Sequence, residues 1–249
     1  MLGFQADIVE LNGSIINSRL SVTVGACAVV LADAAISSTA LASGQYDVDP
    51  AELIDPRSGL FEAWVGRGAG DESRRIYGSL AFRGDGDWMG IIEPGRERDA
   101  DGNWENILVL EGVTLFTDGE GPADFGLLLG TEYTNADNRF EMAEVRALAT
   151  FMPHDRVMLH ANGGIERDRR ESSRTALTWG AGAEVALGGP IEAVAEVLGD
   201  GRSGDPEGKL GLRWVAPDDA YFVDLTWAAG LESGGRREWV LGFGVPFGF

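Results

Sequence analysis

The chain has 249 residues, enough for one barrel or one to two ordinary domains. Its mean hydropathy of −0.06 suits a soluble globule, and equally a strand-built membrane protein in which two unlike faces cancel. Acidic residues outnumber basic ones 40 to 20, for a formal net charge of −20, which argues against a nucleic-acid partner because phosphate needs a basic face.

Cys27 is the only cysteine, and His154 and His160 are the only histidines. No disulfide framework, no metal centre and no cofactor are expected from so few soft or imidazole ligands.

Arg19 precedes the apolar run Leu20–Leu31. That run has the length of a secretory h-region and falls short of the roughly 20 residues a spanning helix needs. Small-residue cleavage patterns follow at Ala32-Asp33-Ala34 and at Ala40-Leu41-Ala42, the second being preferred. Residues 1–42 are therefore expected to be a signal peptide, and the long acidic stretch before Arg19 suggests a start set too far upstream. Val24-Gly25-Ala26-Cys27 has the outline of a lipoprotein cleavage box, but apolar residues continue past the cysteine. A buried first helix is the competing reading. Residues 43–59, punctuated by Pro50 and Pro56, show no clean period and read as a periplasmic lead-in. The remainder, 60–249, is predicted to be a β-barrel.

Along that remainder, apolar residues recur at every second position, the period of a strand with two unlike faces. Phe61–Val65 suggests a first strand, Ile76–Phe82 a second and Trp88–Glu93 a short third. Ile107–Phe116 is apolar almost throughout around Glu111, and Phe125–Tyr133 alternates well. Residues 139–151 would put Ala143, Val145, Ala147, Ala149 and Phe151 on one face and Glu144 and Arg146 on the other. An amphipathic helix competes there, because Glu, Met, Ala, Arg and Leu suit helices. From Val157 onward the pattern is strong. Runs begin at Val157, Thr175, Ile191, Leu210, Tyr221 and Trp239, and charges hold one parity throughout.

Twelve candidates result, with 10–14 as the range the pattern allows for a barrel of about 12 strands. The connections alternate in kind. Pro94–Trp104, Arg167–Ser173 and Gly199–Gly208 are long and charged, whereas Gly84–Asp87, Gly188–Pro190 and Ala216–Asp219 are short and rich in turn residues. The last strand carries Trp239, Leu241, Phe243, Val245, Phe247 and Phe249 on one parity, and these are expected to face the membrane. The fold class is thus an all-β, antiparallel transmembrane barrel in a Gram-negative bacterial outer membrane. Its expected partners are membrane lipid and the barrel-assembly machinery.

Several stretches resemble the outer-membrane proteins grouped as phenol-degradation (MetA-pathway) transporters. They are Trp179-Gly-Ala-Gly-Ala-Glu184, Ile191-Glu-Ala-Val-Ala-Glu196, Gly211-Leu-Arg-Trp214, Asp224-Leu-Thr-Trp-Ala-Ala-Gly-Leu231 and Leu241-Gly-Phe-Gly-Val-Pro-Phe-Gly-Phe249. The resemblance covers about a third of the chain, and Pro246 and Gly248 depart from that family's usual end. It implies passage of small, often hydrophobic or aromatic compounds.

The opposite parity supplies the candidate pore lining: Glu184, Glu192, Glu196, Lys209, Arg213 and Asp224. Mixed signs on neighbouring strands favour bracing pairs, with an acidic, cation-preferring constriction as the alternative. His160 shares its face with Asn162 and Glu166, but no Ser follows at His-x-Ser spacing, so no enzyme activity is read from it. The expected function is passive passage of small molecules. The alternatives are a structural or adhesion barrel with a filled lumen, and a soluble periplasmic barrel with a ligand inside.

Overall fold

The structure, a computed structural model, describes residues 46–249 except 71–72, 118–120, 136–137, 171–173, 203, 233–234 and 236. The expected signal peptide and its cleavage site lie outside the described residues.

Twelve strands form one closed antiparallel barrel: β1 Ser58–Gly68, β2 Arg74–Arg83, β3 Trp88–Arg98, β4 Trp104–Leu115, β5 Ala123–Thr134, β6 Arg139–His154, β7 Val157–Asp168, β8 Arg174–Gly188, β9 Ile191–Asp200, β10 Glu207–Val215, β11 Phe222–Gly230 and β12 Arg237–Gly248. Each pairs with its chain neighbours. The ring closes where β1 meets β12, from Ser58 opposite Gly248 to Gly68 opposite Glu238. Closure leaves no unpaired edge, which hydrocarbon demands because it offers no water to orphaned N–H and C=O groups. We call the end that carries Ser58 and Gly248 the lower end.

The side chains sort by parity as the alternation predicts. Phe61, Val65, Leu129, Val145, Leu225 and Leu241 point outward and are exposed. Aromatic residues mark both rims of this apolar belt: Trp104, Phe140 and Trp239 near the upper strand ends, and Trp88, Phe125, Phe151 and Phe247 near the lower. This is the surface of an outer-membrane barrel, and the soluble alternative, which needs the apolar parity inside, does not fit it.

Two expected boundaries move. Pro94 is not in a loop: β3 runs through it to Arg98, paired without a break to β4. On the β2 side the ladder skips between Tyr77 opposite Gly95 and Leu80 opposite Ile92, where Pro94 has no N–H to give. The stretch 139–151, open between helix and strand, lies within β6, whose register shifts near its lower end between Phe151 and His154. Cross-strand pairing on both sides outweighs helix propensity there. At the lower turn after β8, Gly188 and Gly189 both take positive φ (111° and 59°), which a tight hairpin requires and other residues resist.

The larger change concerns residues 46–57. Expected as a periplasmic lead-in, they run inside the barrel as far as Ile54 and leave it through the exposed Asp55–Arg57. An eight-stranded barrel is just filled by its own side chains, so twelve strands leave surplus space. Part of that space is taken by Ala51 and Ile54, which join Leu60, Ala81, Met89, Val113, Leu128, Leu148 and Phe222 in one buried apolar cluster.

Candidate functional site

The lumen is the concave, chemically varied part of this molecule, and its lining comes from the inward parity of every strand. Glu184 on β8, Glu192 and Glu196 on β9, Lys209 and Arg213 on β10 and Asp224 on β11 are all buried inside the barrel. Register explains their grouping: Lys209 lies opposite Glu196, while Arg213 lies opposite Glu192 on one side and Asp224 on the other.

Arg213 is the hub of the lower group. Its Nε donates to Asp224 Oδ1 at 2.9 Å, with side chains 1% and 0% exposed. Its Nη1 lies 3.8 Å from Glu184 and 4.0 Å from Glu192. The guanidinium also sits over the Phe222 and Tyr46 rings, at 4.7 Å and 5.7 Å. One cation thus holds three carboxylates, the bracing arrangement expected of mixed signs on neighbouring strands.

The segment 46–57 is bound to this wall chiefly through side chains. Asp47 pairs with Lys209, the one lysine of the chain. Glu196 accepts the N–H groups of Asp47 and Val48 at 3.2 Å and 3.1 Å. Arg146 on β6 donates to Asp49 at 2.5 Å, to the Asp47 carbonyl at 3.1 Å and to Glu144 at 2.6 Å. Lower down, the Ala51 N–H donates to Thr150 Oγ1 at 2.8 Å, and Arg83 donates to the Ile54 carbonyl at 2.8 Å.

His160 belongs to the same network. Its Nδ1 is 3.0 Å from Thr150 Oγ1, and its Nε2 is 3.4 Å from Glu184. Thr150 Oγ1 accepts the Ala51 N–H and is also within hydrogen-bond distance of the His160 ring. The hydroxyl thus ties the segment to the His160 ring across β6 and β7. His160, Asn162 and Glu166 share a face of β7 but not a contact of this kind: Glu166 pairs with Arg202.

Two cavities flank the segment. The upper one, about 430 Å³, is lined by Asp47, Arg75, Arg146, Asn162, Glu166 and Thr178 among others. Asn162, 7% exposed, has no hydrogen-bond partner on either amide atom there, and Thr178 Oγ1 has none. The lower cavity, about 580 Å³, is lined by residues that include Ile54–Leu60, Asp218, Phe222 and Phe247. The two share no lining residue, and residues 46–57 contribute to both.

The sequence reading placed Arg146 on the inner face of its strand but missed Asp47, Asp49, Thr150 and Arg75 as members of the lumen site. A signal existed. Gly180, Gly182 and Gly211 stand at inward positions, where a Cβ would overlap or crowd Val48 or Tyr46. Inward glycines on a wall leave room for something else.

Three solved structures share the fold. A KdgM porin aligns with a TM-score of 0.60 at 10% identity, over 76% of this chain and 99% of its own. A NanC porin aligns at 0.59 and 8% identity, over 74% and 98%. A KdgM porin in complex with disordered oligogalacturonate aligns at 0.58 and 9% identity, over 76% and 99%. At such identity the likeness concerns the fold alone. No curated protein matches the sequence. Residues 28–247 match the family described as uncharacterised conserved protein UCP029691, and the chain belongs to that family.

Proposed function

We propose that this member of the family is an outer-membrane channel for passive passage of small molecules. The observation that carries this reading is the pair of cavities, one at each end of a closed barrel, with residues 46–57 the one non-strand segment between them among the described residues. The upper cavity is charged and hydrogen-bonding, which favours small polar solutes there. Passage of hydrophobic or aromatic compounds, implied by resemblance alone, would draw on the apolar lining of the lower half, Leu60, Met89, Val113 and Phe222. The charged set Glu184, Glu192, Glu196, Lys209, Arg213 and Asp224 lines the route and sets its shape by mutual pairing. The outward face of β12, with Phe249 after it, presents the lipid-facing signature and the end that the assembly machinery would receive.

A second reading, a structural barrel with a permanently filled lumen, is favoured by one observation. The lower lumen holds a buried apolar cluster, as a soluble core does.

Mobility of boiled against unboiled protein tests the barrel, and release of small solutes from proteoliposomes then tests the channel. A folded barrel that releases solutes no faster than empty liposomes under any condition would leave the filled-lumen reading standing. Recovery in the soluble fraction without a mobility shift would sink both.

A further inference from the structure

We infer that residues 46–56 are a displaceable plug, pivoting about Arg57 and latched by two ion pairs, whose withdrawal connects the two cavities. This rests on the channel reading above.

Four observations lead to it. First, among the described residues 46–54 contribute no main-chain to main-chain hydrogen bond, and 46–56 belong to no ladder. It can leave without unpairing a strand, which a piece of the wall cannot do. Second, its polar attachments run to side chains of the wall. The Asp47–Lys209 and Asp49–Arg146 pairs hold its upper part, with the Glu196 carboxylate on two of its N–H groups and Thr150 on a third. Third, each wall partner keeps a second partner if the plug leaves. Lys209 retains Glu207 at 3.8 Å and faces Glu196 across the ladder, Arg146 retains Glu144, and Thr150 retains His160. Withdrawal therefore strands no buried charge, the event that makes breaking an interior pair costly.

Fourth, the chain turns sharply where the plug meets the wall. Arg57 has φ +59°, the left-handed region that a residue with a Cβ avoids. It is pinned on both sides: its N–H donates to the Gly84 carbonyl at 3.2 Å, and its carbonyl accepts the Phe249 N–H at 3.0 Å. A fixed, left-handed residue between a free segment and β1 has the character of a hinge. Above the hinge two of its side chains lie against inward glycines of the wall. Val48 rests on Gly180 and Gly182, and Tyr46 on Gly211.

Locking the plug is the decisive experiment. A Cβ built on Gly182 lies 3.4 Å from Val48 Cβ, close to the spacing of about 3.5–4.5 Å that a disulfide takes. The pair Val48→Cys and Gly182→Cys, with Cys27→Ser in any chain that retains it, is folded into planar bilayers, and folding is verified by gel mobility. Oxidation is expected to abolish conductance steps, and reduction to restore them to the frequency of the unmodified chain. Asp47→Asn with Asp49→Asn, which weakens both latches and leaves the wall paired, is expected to open more often than the unmodified chain. Failure of the disulfide to form would place Val48 away from Gly182 and overturn the proposal. Equal conductance of the oxidised and reduced forms would overturn the plug while the channel stands. If a folded barrel lacking 46–56 also never conducts, the channel reading itself falls.

Discussion

The barrel has two unlike walls. On β1–β6 the inward parity is often apolar: Leu60, Ala81, Met89, Val113, Leu128 and Leu148, one from each strand, meet in a buried cluster. On β7–β11 the inward parity is mostly ionic or hydrogen-bonding, with His160, Glu184, Glu192, Glu196, Lys209, Arg213 and Asp224. Both walls show lipid the same greasy outer face. The difference explains why the alternation in the sequence is clear in the second half and blurred in the first. A strand whose inner side chains pack into a dry core is apolar on both faces, so its period of two fades, as in Ile107–Phe116. The plug lies between the walls and uses both, placing Ala51 and Ile54 in the apolar cluster and Asp47 on Lys209 of β10, while Asp49 pairs with Arg146, an ionic residue of the first wall on β6.

If the walls are built on different physics, they fail differently. The largest effect is expected at Arg213. Arg213→Ala leaves Asp224, Glu184 and Glu192 facing one another in a space closed to water. Loss of one partner from a buried pair costs about 3–5 kcal/mol. Denaturant unfolding of the lipid-folded barrel, followed by tryptophan emission, reads it directly. A loss under about 1 kcal/mol, the range of exposed pairs, would mean that water reaches the group and that the ionic wall is wet.

On the other wall, Leu128 and Leu129 are chain neighbours with opposite fates, 0% and 52% exposed, the second facing lipid. Leu128→Ala opens a cavity that the cluster closes only in part, at about 2–5 kcal/mol. Leu129→Ala loses the transfer contribution alone, since lipid chains flow into the gap, so its cost is smaller. Equal losses at the two sites would show that the lower lumen is not packed as a core, and would remove the main support for a permanently filled barrel.

Strand number and outward parity were legible because each is local, whereas the expected alternation of short and long connections does not hold: the longest connection, 116–122, is at the lower end, and the loops expected at Pro94–Trp104 and Gly199–Gly208 shrink to 99–103 and 201–206. Trp239, Leu241 and Phe243 announce their face within five residues, and Gly188-Gly189 announces its turn. The plug was not legible, and its physics shows why. Tyr46–Pro56 belongs to no ladder, so it carries no period. Its partners Arg146 and Glu196 lie 97 to 149 residues away in the chain. Pro94 misled for the opposite reason. It is a local signal for a loop, overridden because β4 supplies an unbroken partner on its other side. The inner lining fell between these cases. Parity put Glu184, Glu192, Glu196, Lys209, Arg213 and Asp224 on one face, but register alone told which carboxylate meets which cation.

Outside the lumen, charge should matter least, and the turn between β3 and β4 measures how little. There the Asp99 carboxylate accepts the Asn103 side-chain amide at 3.0 Å and its backbone N–H at 2.8 Å, in full contact with water. Those hydrogen bonds, the side-chain amide's first, hold the Asp99 carboxyl below the usual aspartate range. A carboxyl with a lowered pKa stabilises its surroundings while ionised. The contribution is complete above the ordinary value of about 3.9 and disappears as pH falls through the lowered one. Protection of the Asn103 amide from exchange, taken relative to the intrinsic rate at each pH, is therefore expected to persist at neutral pH and to fall only in that acid window. In Asp99→Ala that protection should be absent at any pH, while the unfolding midpoint of the barrel stays where it was. A shift of that midpoint would tie the upper rim to the lumen and erase the boundary between the turn and the two walls it caps.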